Sequence, residues 1–312
     1  MDLEGRIALV TGASSGIGVA VADQLAREGA DVALLARSRP GLEKVAARVR
    51  AHGRRALVVP ADVTDRAAVD AAVRRVVDEL GGLDVLVSGH AAVVFGRFED
   101  VAPEDFDRTV DVTFTGAVNV IRAALPALAQ RRGTIVAIGS IMTKVPLPTF
   151  SSYASAKHAL RGFLSSLRME LKAAGDPVRL STVNPGAVDT PLWDNTTTAT
   201  GRAPHKPPDS YSPEAVAKVV VACAKHPRSE ITVGGEARLV ELAWTFARPV
   251  GEQILGIAER LYSSGRTPYD RPGRLWDATS TGEARDGMHG RPSLWAPIRL
   301  ALDAPLRLLS RD

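Results

Sequence analysis

Thr11-Gly-Ala-Ser-Ser-Gly-Ile-Gly18 is a glycine-rich turn that follows the first apolar run of the chain and precedes an alanine-rich helical stretch. Gly12 would permit the tight turn, Gly16 would let the backbone approach a pyrophosphate, and Gly18 would let helix and strand pack closely. A helix that begins here presents free N–H groups and its positive dipole end to an anion. An ordinary loop is the alternative for such a turn alone, but its position between strand and helix favours dinucleotide binding. The predicted contacts also include Ser14, Ser15 and Ile17.

Short apolar runs alternate with helical stretches over the first two hundred residues. The runs are rich in Val, Ile and Leu without strict alternation, which is typical of strands covered on both faces. We predict strands at residues 6–11, 31–36, 56–61, 85–88, 134–139, 178–184 and 230–233. We predict helices at residues 16–29, 41–52, 67–80, 103–128, 152–174, 213–225 and 237–261. This order predicts an α/β fold, a Rossmann-type doubly wound parallel sheet with right-handed crossovers. The expected organisation is one dinucleotide-binding and catalytic domain at 1–240 and a C-terminal helical or irregular extension at 241–312.

The composition excludes several other classes of protein. The net charge of +4 comes from 39 basic and 35 acidic residues that are interspersed, which indicates a solvated mixed surface rather than nucleic-acid binding. Cys223 is the single cysteine, so an internal disulfide framework is excluded, and a small core residue is the favoured interpretation. No uninterrupted apolar run is long enough to span a membrane, and no His/Cys/Asp/Glu cluster suggests a metal. Because a strand follows Met1 almost at once, we expect no signal peptide and a cytoplasmic protein.

Tyr153 and Lys157 stand four residues apart in a predicted helix, and Ser140 lies thirteen residues before the tyrosine. Residues at this spacing share a helix face, with Cβ atoms within about 6 Å. A lysine there can stabilise a phenolate, whose ordinary pKa is about 10. Such a tyrosine exchanges protons near neutral pH, as the interconversion of an alcohol and a carbonyl requires.

Arg37 follows the second predicted strand, where an acidic residue would accept hydrogen bonds from an adenosine ribose 2′-hydroxyl. No carboxylate is present, and an arginine can pair with a 2′-phosphate through its planar guanidinium. The alternative is a solvated surface arginine, but the pattern favours NADP(H) over NAD(H). Asp62 and Val63, after the third strand, are placed to meet the adenine ring, although an Asp before a helix is often an N-cap.

These residues together resemble the short-chain dehydrogenase/reductase family over roughly residues 5–235. The resemblance rests on the glycine-rich turn, Asp62-Val63, Ser140, Tyr153-x-x-x-Lys157 and Asn184-Pro-Gly186. It implies a single Rossmann-type domain with a seven-stranded parallel sheet, assembled as a homodimer or homotetramer.

The resemblance also implies a role for each residue. Tyr153 resembles the general acid/base, and Lys157 the lysine that lowers the tyrosine pKa and holds the nicotinamide ribose hydroxyls. Ser140 matches the serine that hydrogen-bonds the substrate oxygen, although on its own it could merely end a strand. The segment expected at the nicotinamide end of the cofactor, which alone could be only a turn, comprises Pro185, Gly186, Val188 and Thr190.

Two stretches depart from the family pattern. Ser88-Gly-His-Ala91 stands where Asn-Asn-Ala-Gly is usual, and Thr113 stands where an Asn at a helix kink usually holds a water of the proton relay. A threonine hydroxyl could still order that water. His90 would lie at the carboxyl edge of the sheet, either as a packed, satisfied histidine or as a donor to the cofactor or relay water.

The expected substrate side is largely apolar. It comprises residues near 92–98, residues 141–150 and a lid at about 191–212, with contributions from Val93, Val94, Phe95, Ile141, Met142, Val145, Leu147, Pro148, Phe150, Leu192 and Trp193. Such a cleft suits a hydrophobic ketone, aldehyde or secondary alcohol. The helix at 237–261 would cap this cleft or contact another subunit. An apolar patch at 294–309 would pack on its own domain or a second subunit, with membrane contact as the less favoured alternative.

We therefore predict an oxidoreductase that transfers hydride between NADP(H) and a hydrophobic carbonyl/alcohol pair, with Tyr153 as acid/base. The alternative is a catalytically weak, dinucleotide-binding regulatory or scaffold protein of the same fold, which Thr113 and the 88–91 stretch leave open.

Overall fold

A parallel sheet of seven strands forms the centre of the computed structural model, which describes residues 2–201, 210–262, 273 and 275–277. The strand order is β3-β2-β1-β4-β6-β7-β9, so the direction of strand addition reverses beside β1. The seven strands are β1 Ile7–Thr11, β2 Asp31–Ala36, β3 Ala56–Pro60, β4 Val85–Ser88, β6 Thr134–Ile138, β7 Arg179–Pro185 and β9 Glu230–Val233. The predicted fold class is confirmed.

Helices cover both faces of this sheet and form two apolar layers with it. One layer contains buried residues of α1, α2 and α8, and the other contains those of α3, α5 and α6. The helix bounds are α1 Gly16–Arg27, α2 Arg39–Ala51, α3 Arg66–Leu80, α4 Pro103–Val110, α5 Gly116–Arg131, α6 Ser151–Ala173, α7 Leu192–Asn195, α8 Pro213–Lys225, α9 Gly235–Phe246 and α10 Arg248–Tyr262. Coverage on both faces explains why the strands read as continuous apolar runs.

The helix predicted at 103–128 is interrupted by a π-helical turn. Helix α4 ends at Val110, the turn covers Asp111–Thr115, and α5 begins at Gly116. Single π turns in α-helices occur frequently at functional sites. Here the turn carries Thr113, which is 1% exposed.

The single helix predicted at 237–261 is wrong, because the chain forms two helices there. Helix α9 ends at Phe246, Ala247 has φ −135°, and α10 begins at Arg248. Pro249 provides the physical reason, since it has no N–H to continue α9 and its ring would clash with the carbonyl four residues earlier. The predicted domain boundary at 240 lies within α9 and stays a prediction.

Helices α4 and α5 with the π turn between them, Pro103–Arg131, are long and apolar enough, by length and composition alone, to cross a membrane. Their most apolar window has a mean hydropathy of 1.4, and 44% of that window is buried inside the protein. Val120, Ile121 and Leu128 of this stretch pack into the core against the sheet. A core helix of the sheet passes the same test, so the stretch is weak evidence for a membrane span.

A second, two-stranded parallel sheet joins the segment after β4 to the expected lid. Strand β5, Val94–Phe95, pairs with β8, Thr197–Thr198, and Ala199 N donates to Phe95 O at 2.9 Å. The expected lid at 191–212 is described except for residues 202–209. This pairing holds the first half of the lid beside the carboxyl edge of the central sheet.

Candidate active site

The carboxyl ends of β1, β4, β6 and β7 bring the predicted motifs to one edge of the sheet. The glycine-rich turn follows β1, and residues 88–91 follow β4. Ser140 comes two residues after β6, and Asn184-Pro-Gly186 closes β7. Ligands of open α/β sheets bind at this edge, where the strand order reverses.

The geometry of the glycine-rich turn excludes side chains at its three glycines. Gly12 and Gly16 have φ values of +69° and +54°, in the left-handed region that favours glycine. A Cβ at Gly18 would overlap the carbonyl oxygen of Gly12, and one at Gly16 would lie 3.1 Å from Thr190. Ser15 caps α1 without a side-chain hydrogen bond, so the side chain leaves the first N–H groups of the helix to another acceptor. The turn therefore fits the pyrophosphate of a dinucleotide.

The segment predicted for the nicotinamide end lies against this turn. Gly186 N donates to Val233 O at 3.0 Å, which holds the segment after Pro185 to the edge strand β9. Val188 forms a bridge with Tyr211, and Trp193 Nε1 donates to Val188 O at 2.9 Å. Because Thr190 packs on Gly16, the segment reaches the pyrophosphate turn.

Ser140, Tyr153 and Lys157 come together as the spacing predicts. Their exposed fractions are 9%, 8% and 2%. Ser140 lies near enough to Tyr153 to act on its pKa, and its Oγ accepts from Met142 N at 3.1 Å, which fixes the serine at the start of a short 3-10 turn. Lys157 Nζ donates to Ile138 O at 2.9 Å and lies 5.5 Å from the centre of the Tyr153 ring.

The expected lowering of the tyrosine pKa is wrong for this geometry. Burial raises the pKa of Tyr153 to about 12, and the hydrogen bond from Ser140 opposes this rise. Burial also lowers the pKa of Lys157 to about 8. The lysine ammonium lies over the ring and bonds a main-chain carbonyl, and burial of the phenol is the largest influence on the pKa of Tyr153. The arrangement holds Tyr153 as a protonated phenol, which is the form that donates a proton.

Thr113 connects the π turn to the loop after β4. Its Oγ1 accepts from Ala92 N at 3.1 Å and donates to Ala92 O at 3.2 Å. These two bonds give Thr113 a positioning role for the loop beside the active site. Its predicted part in a proton relay stays a prediction.

His90 combines features of both interpretations of this residue. Its Nδ1 forms a hydrogen bond with Thr11 Oγ1 at 2.7 Å. The same hydroxyl oxygen accepts a hydrogen bond from Gly89 N at 3.1 Å. Its Nε2 is buried and has no hydrogen-bond partner within the described part of the chain. Burial lowers the pKa of His90 to about 3, with a further contribution from the positive charge of Lys157. The imidazole is therefore neutral at physiological pH, with one nitrogen satisfied and one unpaired.

The region predicted to bind the adenosine contains two residues that the sequence motifs did not reveal, Arg108 and Trp276. Arg108 Nη2 donates to Asp62 at 2.5 Å, and its guanidinium lies 5.5 Å from the Trp276 ring centre. Burial acts to raise the pKa of Asp62, but bonds from Thr64 and Arg108 outweigh it and lower that pKa. Asp65, not Asp62, is the N-cap of α3. The pairing of Arg108 with Asp62 could not be predicted from the sequence, because a single arginine in an amphipathic helix is usually a solvent-exposed residue.

Arg37 is occupied by the C-terminal extension. Its Nη1 donates to the carbonyls of Leu275 at 3.2 Å and Trp276 at 2.7 Å, and its Nη2 donates to that of Asp277 at 3.4 Å. The alternative of a merely solvated arginine is wrong, because main-chain acceptors surround the guanidinium. Its predicted pairing with a 2′-phosphate stays a prediction.

The surroundings of Tyr153 are apolar, as expected for the substrate side. Tyr153 packs with Val93 and Met142, both buried, and half-buried apolar side chains complete the cluster: Ala91, Ile141, Leu147 and Phe150. The Phe150 ring also packs on that of Phe95, with centroids 5.2 Å apart. An apolar substrate fragment would therefore find matching surface beside the tyrosine hydroxyl.

A separate cavity of about 530 Å³ lies on the other face of α6. It is lined by residues 146–148, by α6 residues such as Ala154 and His158, and by Trp244 and Leu255 of α9 and α10. Tyr153 and Lys157 do not line it, because they occupy the opposite helix face. The two helices thus lie beside the loop that carries Leu147, a residue that also packs in the apolar cluster around Tyr153. The expected apolar patch at 294–309 lies outside the described residues. Within those residues, no three His, Cys, Asp or Glu side chains are grouped so that they could hold a metal.

Comparisons with known proteins show the family of this chain. The sequence model described as short chain dehydrogenase matches residues 6–201. The Bacillus subtilis protein named uncharacterized oxidoreductase YxnA is 30% identical over 292 residues, covering 93% of this chain and 81% of that protein.

Two solved structures have the same architecture. An alcohol dehydrogenase from the archaeon Thermococcus sibiricus, complexed with 5-hydroxy-NADP, superposes with a TM-score of 0.66 at 28% identity, covering 73% of this chain and 95% of that one. A short chain dehydrogenase from Mycobacterium paratuberculosis, bound to NAD, gives 0.67 at 28% identity, covering 75% and 97%. The chain therefore belongs to the short-chain dehydrogenase/reductase family.

Proposed function

We propose that this chain is an NADP(H)-dependent oxidoreductase that interconverts a hydrophobic carbonyl compound and its alcohol. The observation that carries the proposal is the position of Tyr153, which lies near Ser140 and inside an apolar cluster at the same sheet edge as the glycine-rich turn. The nicotinamide cofactor, when bound, supplies or accepts the hydride at the substrate carbon.

The residues of this chain supply the proton that the substrate oxygen receives, and they orient the substrate. In the reductive direction, Tyr153 gives its phenolic proton to the substrate oxygen, and Ser140 hydrogen-bonds the same oxygen. The buried Lys157 ammonium lies 5.5 Å from the ring centre, where it stabilises the negative charge that the tyrosine then carries. In the oxidative direction the same groups take the proton back.

The preference for NADP(H) is supported by Arg37, a cation at the end of β2 where no carboxylate stands to repel a 2′-phosphate. Related structures are found with 5-hydroxy-NADP and with NAD, so the family accommodates both kinds of cofactor. A hydrophobic substrate is supported by the apolar cluster around Tyr153.

No observation favours the regulatory or scaffold alternative, because Ser140, Tyr153 and Lys157 are all present and lie together at the sheet edge. We also propose a homodimer or homotetramer in the cytoplasm, without nucleic-acid partners. The interspersed charges are the support for that last point.

A screen of ketones, aldehydes and secondary alcohols with NADPH, NADH, NADP and NAD tests the proposal. Wild type should turn over hydrophobic compounds with NADPH or NADP, and Tyr153→Phe should lose activity by at least about a hundredfold, the usual contribution of general acid catalysis. Fluorescence titration should show that the variant still binds NADPH.

Full activity of Tyr153→Phe would contradict the role of the tyrosine. Turnover of charged small metabolites alone would contradict the substrate class, and equal dissociation constants for NADPH and NADH would contradict the cofactor preference.

A further inference from the structure

A short segment of the C-terminal extension lies across the adenosine end of the cofactor site. We call this segment, Gly273 and residues 275–277, the strap. Leu275 of the strap is 2% exposed, although it stands about 240 residues after Arg37. The burial of Leu275 shows that the strap packs against the domain, and specific contacts hold it beside Arg37.

The main-chain carbonyls of the strap bond two arginines at the site. Arg37 donates to the carbonyls of residues 275–277, and Arg108 Nε donates to that of Leu275 at 3.4 Å. Arg108 is at the same time paired with Asp62, which was predicted to meet the adenine ring. The strap thus lies on the groups that surround the adenosine end.

The Trp276 side chain holds the strap to α4. Its Nε1 donates to Asp105 at 2.7 Å, and its ring lies 5.5 Å from the Arg108 guanidinium. At the other end, Gly273 packs directly on the lid strand β8, since a Cβ there would lie 2.5 Å from the main-chain nitrogen of Thr197. The strap is therefore held at both ends, by the lid and by α4.

We propose that the strap and the adenosine 2′-phosphate compete for Arg37, so that the C-terminal extension sets the discrimination between NADP(H) and NAD(H). The inference rests on the dinucleotide site proposed above. Both binding modes use the same guanidinium donors, whose Nη1 already donates to two carbonyls. The phosphate carries a full negative charge and can accept two parallel bonds from the guanidinium, whereas the strap offers only neutral carbonyls, so the phosphate displaces the strap from Arg37. NAD(H) carries a hydroxyl at that position and leaves the strap in place.

Trp276→Ala is the test, because it removes the contacts of the strap with Asp105 and Arg108 but leaves Arg37 intact. Dissociation constants for NADPH and NADH are measured by fluorescence titration, without need for a substrate. The constant for NADPH should fall by about tenfold, as expected for the loss of one hydrogen bond and one cation–π contact that hold the competitor. The constant for NADH should stay within about twofold, since no competing group is removed for it.

Matched variants separate competition from a change in folding. Trp244→Ala removes an indole with a similar cation contact, 5.6 Å from Arg248, and should change neither constant. Trp276→Phe keeps a ring over Arg108 but loses the bond to Asp105, so it should give a smaller shift in the same direction. In the Arg37→Leu background, Trp276→Ala should bring no further gain in NADPH binding, because the contested group is gone.

The ratio of the two constants decides the outcome. Weaker binding of both cofactors by Trp276→Ala would mean that the strap clamps the cofactor and would overturn the proposal, and so would unchanged binding of both. A wild type that prefers NADH would refute the NADP(H) preference alone. The competition would still stand if Trp276→Ala then moved the ratio toward NADPH.

Discussion

Lys157 carries a charge that the protein interior disfavours. Its side chain is 2% exposed, and burial lowers its pKa from 10.5 to about 8. Because the unfolded chain binds the proton more tightly, the charged lysine destabilises the folded state below pH 8. The cost is kept because the proposed chemistry needs a cation beside Tyr153, as in other sites where function and stability conflict.

Lys157→Met should therefore stabilise the protein while abolishing activity. The pKa shift corresponds to about 3 kcal/mol, and about 1 kcal/mol is lost with the hydrogen bond to Ile138 O, so we expect a net gain of about 2 kcal/mol at pH 7. The gain should shrink as the pH rises from 8 to 10.5, where the folded wild type has lost its proton and the unfolded one has not. Denaturant unfolding at pH 7 and pH 10 measures it.

Lys172→Met, an exposed position on the same helix, is the control and should leave stability nearly unchanged. A Lys157→Met protein that is less stable than wild type at pH 7 would show that the ammonium is stabilising where it lies.

Single residues show where sequence reasoning succeeds and where it fails. Ser140, Tyr153 and Lys157 could be predicted because a helix repeat and a strand end fix their relative positions locally. The pKa of Tyr153 could not, because burial depends on segments that pack around it from Val93 to Phe150. Arg37 shows the same limit, since its partners lie about 240 residues away along the chain.

At the level of elements, the π turn at Asp111–Thr115 is the feature that links α4 and α5 to the active site. Periodicity predicted a single helix over residues 103–128. A π turn adds only one residue to a single helical turn, so it leaves the spacing of the apolar residues almost unchanged and cannot be recognised from that spacing. The break between α9 and α10 was missed as well, although Pro249 was the available signal. Strands β2, β4 and β9 were predicted with the bounds that the structure has, because turn residues delimit their apolar runs.

Thr113→Val should destabilise the protein by about 2 kcal/mol, because it leaves the buried N–H and carbonyl of Ala92 without their shared partner. Valine keeps the shape of threonine, so the loss reports on hydrogen bonds rather than on packing. Urea unfolding measures the change. Thr109→Val removes a single bond, to Asp105 O within α4, and should cost less.

An unchanged stability of Thr113→Val would indicate that Ala92 finds other partners and that the hydroxyl does not hold the loop.

For the molecule as a whole, the strap links the region proposed for the adenosine to the expected lid. Gly273 packs on Thr197 of β8, which pairs with β5 beside the apolar cluster. The carbonyls of residues 275–277, only two to four residues after Gly273, accept hydrogen bonds from Arg37. Local sequence patterns could predict the central sheet, but not this connection, because it joins three segments that are distant in the chain.

Gly273→Ala tests the connection from the lid end. The added Cβ would overlap the Thr197 hydroxyl, so the strap must move away from β8 and its hold on Arg37 should weaken. We expect the ratio of the NADPH and NADH dissociation constants to shift toward NADPH, in the same direction as for Trp276→Ala and by about threefold, as for a loss of about 0.6 kcal/mol of packing. Gly162→Ala, in open space on α6, is the control and should leave the ratio unchanged while favouring the helix. A shift toward NADH in Gly273→Ala would mean that contact with the lid opposes, rather than supports, the hold of the strap on Arg37.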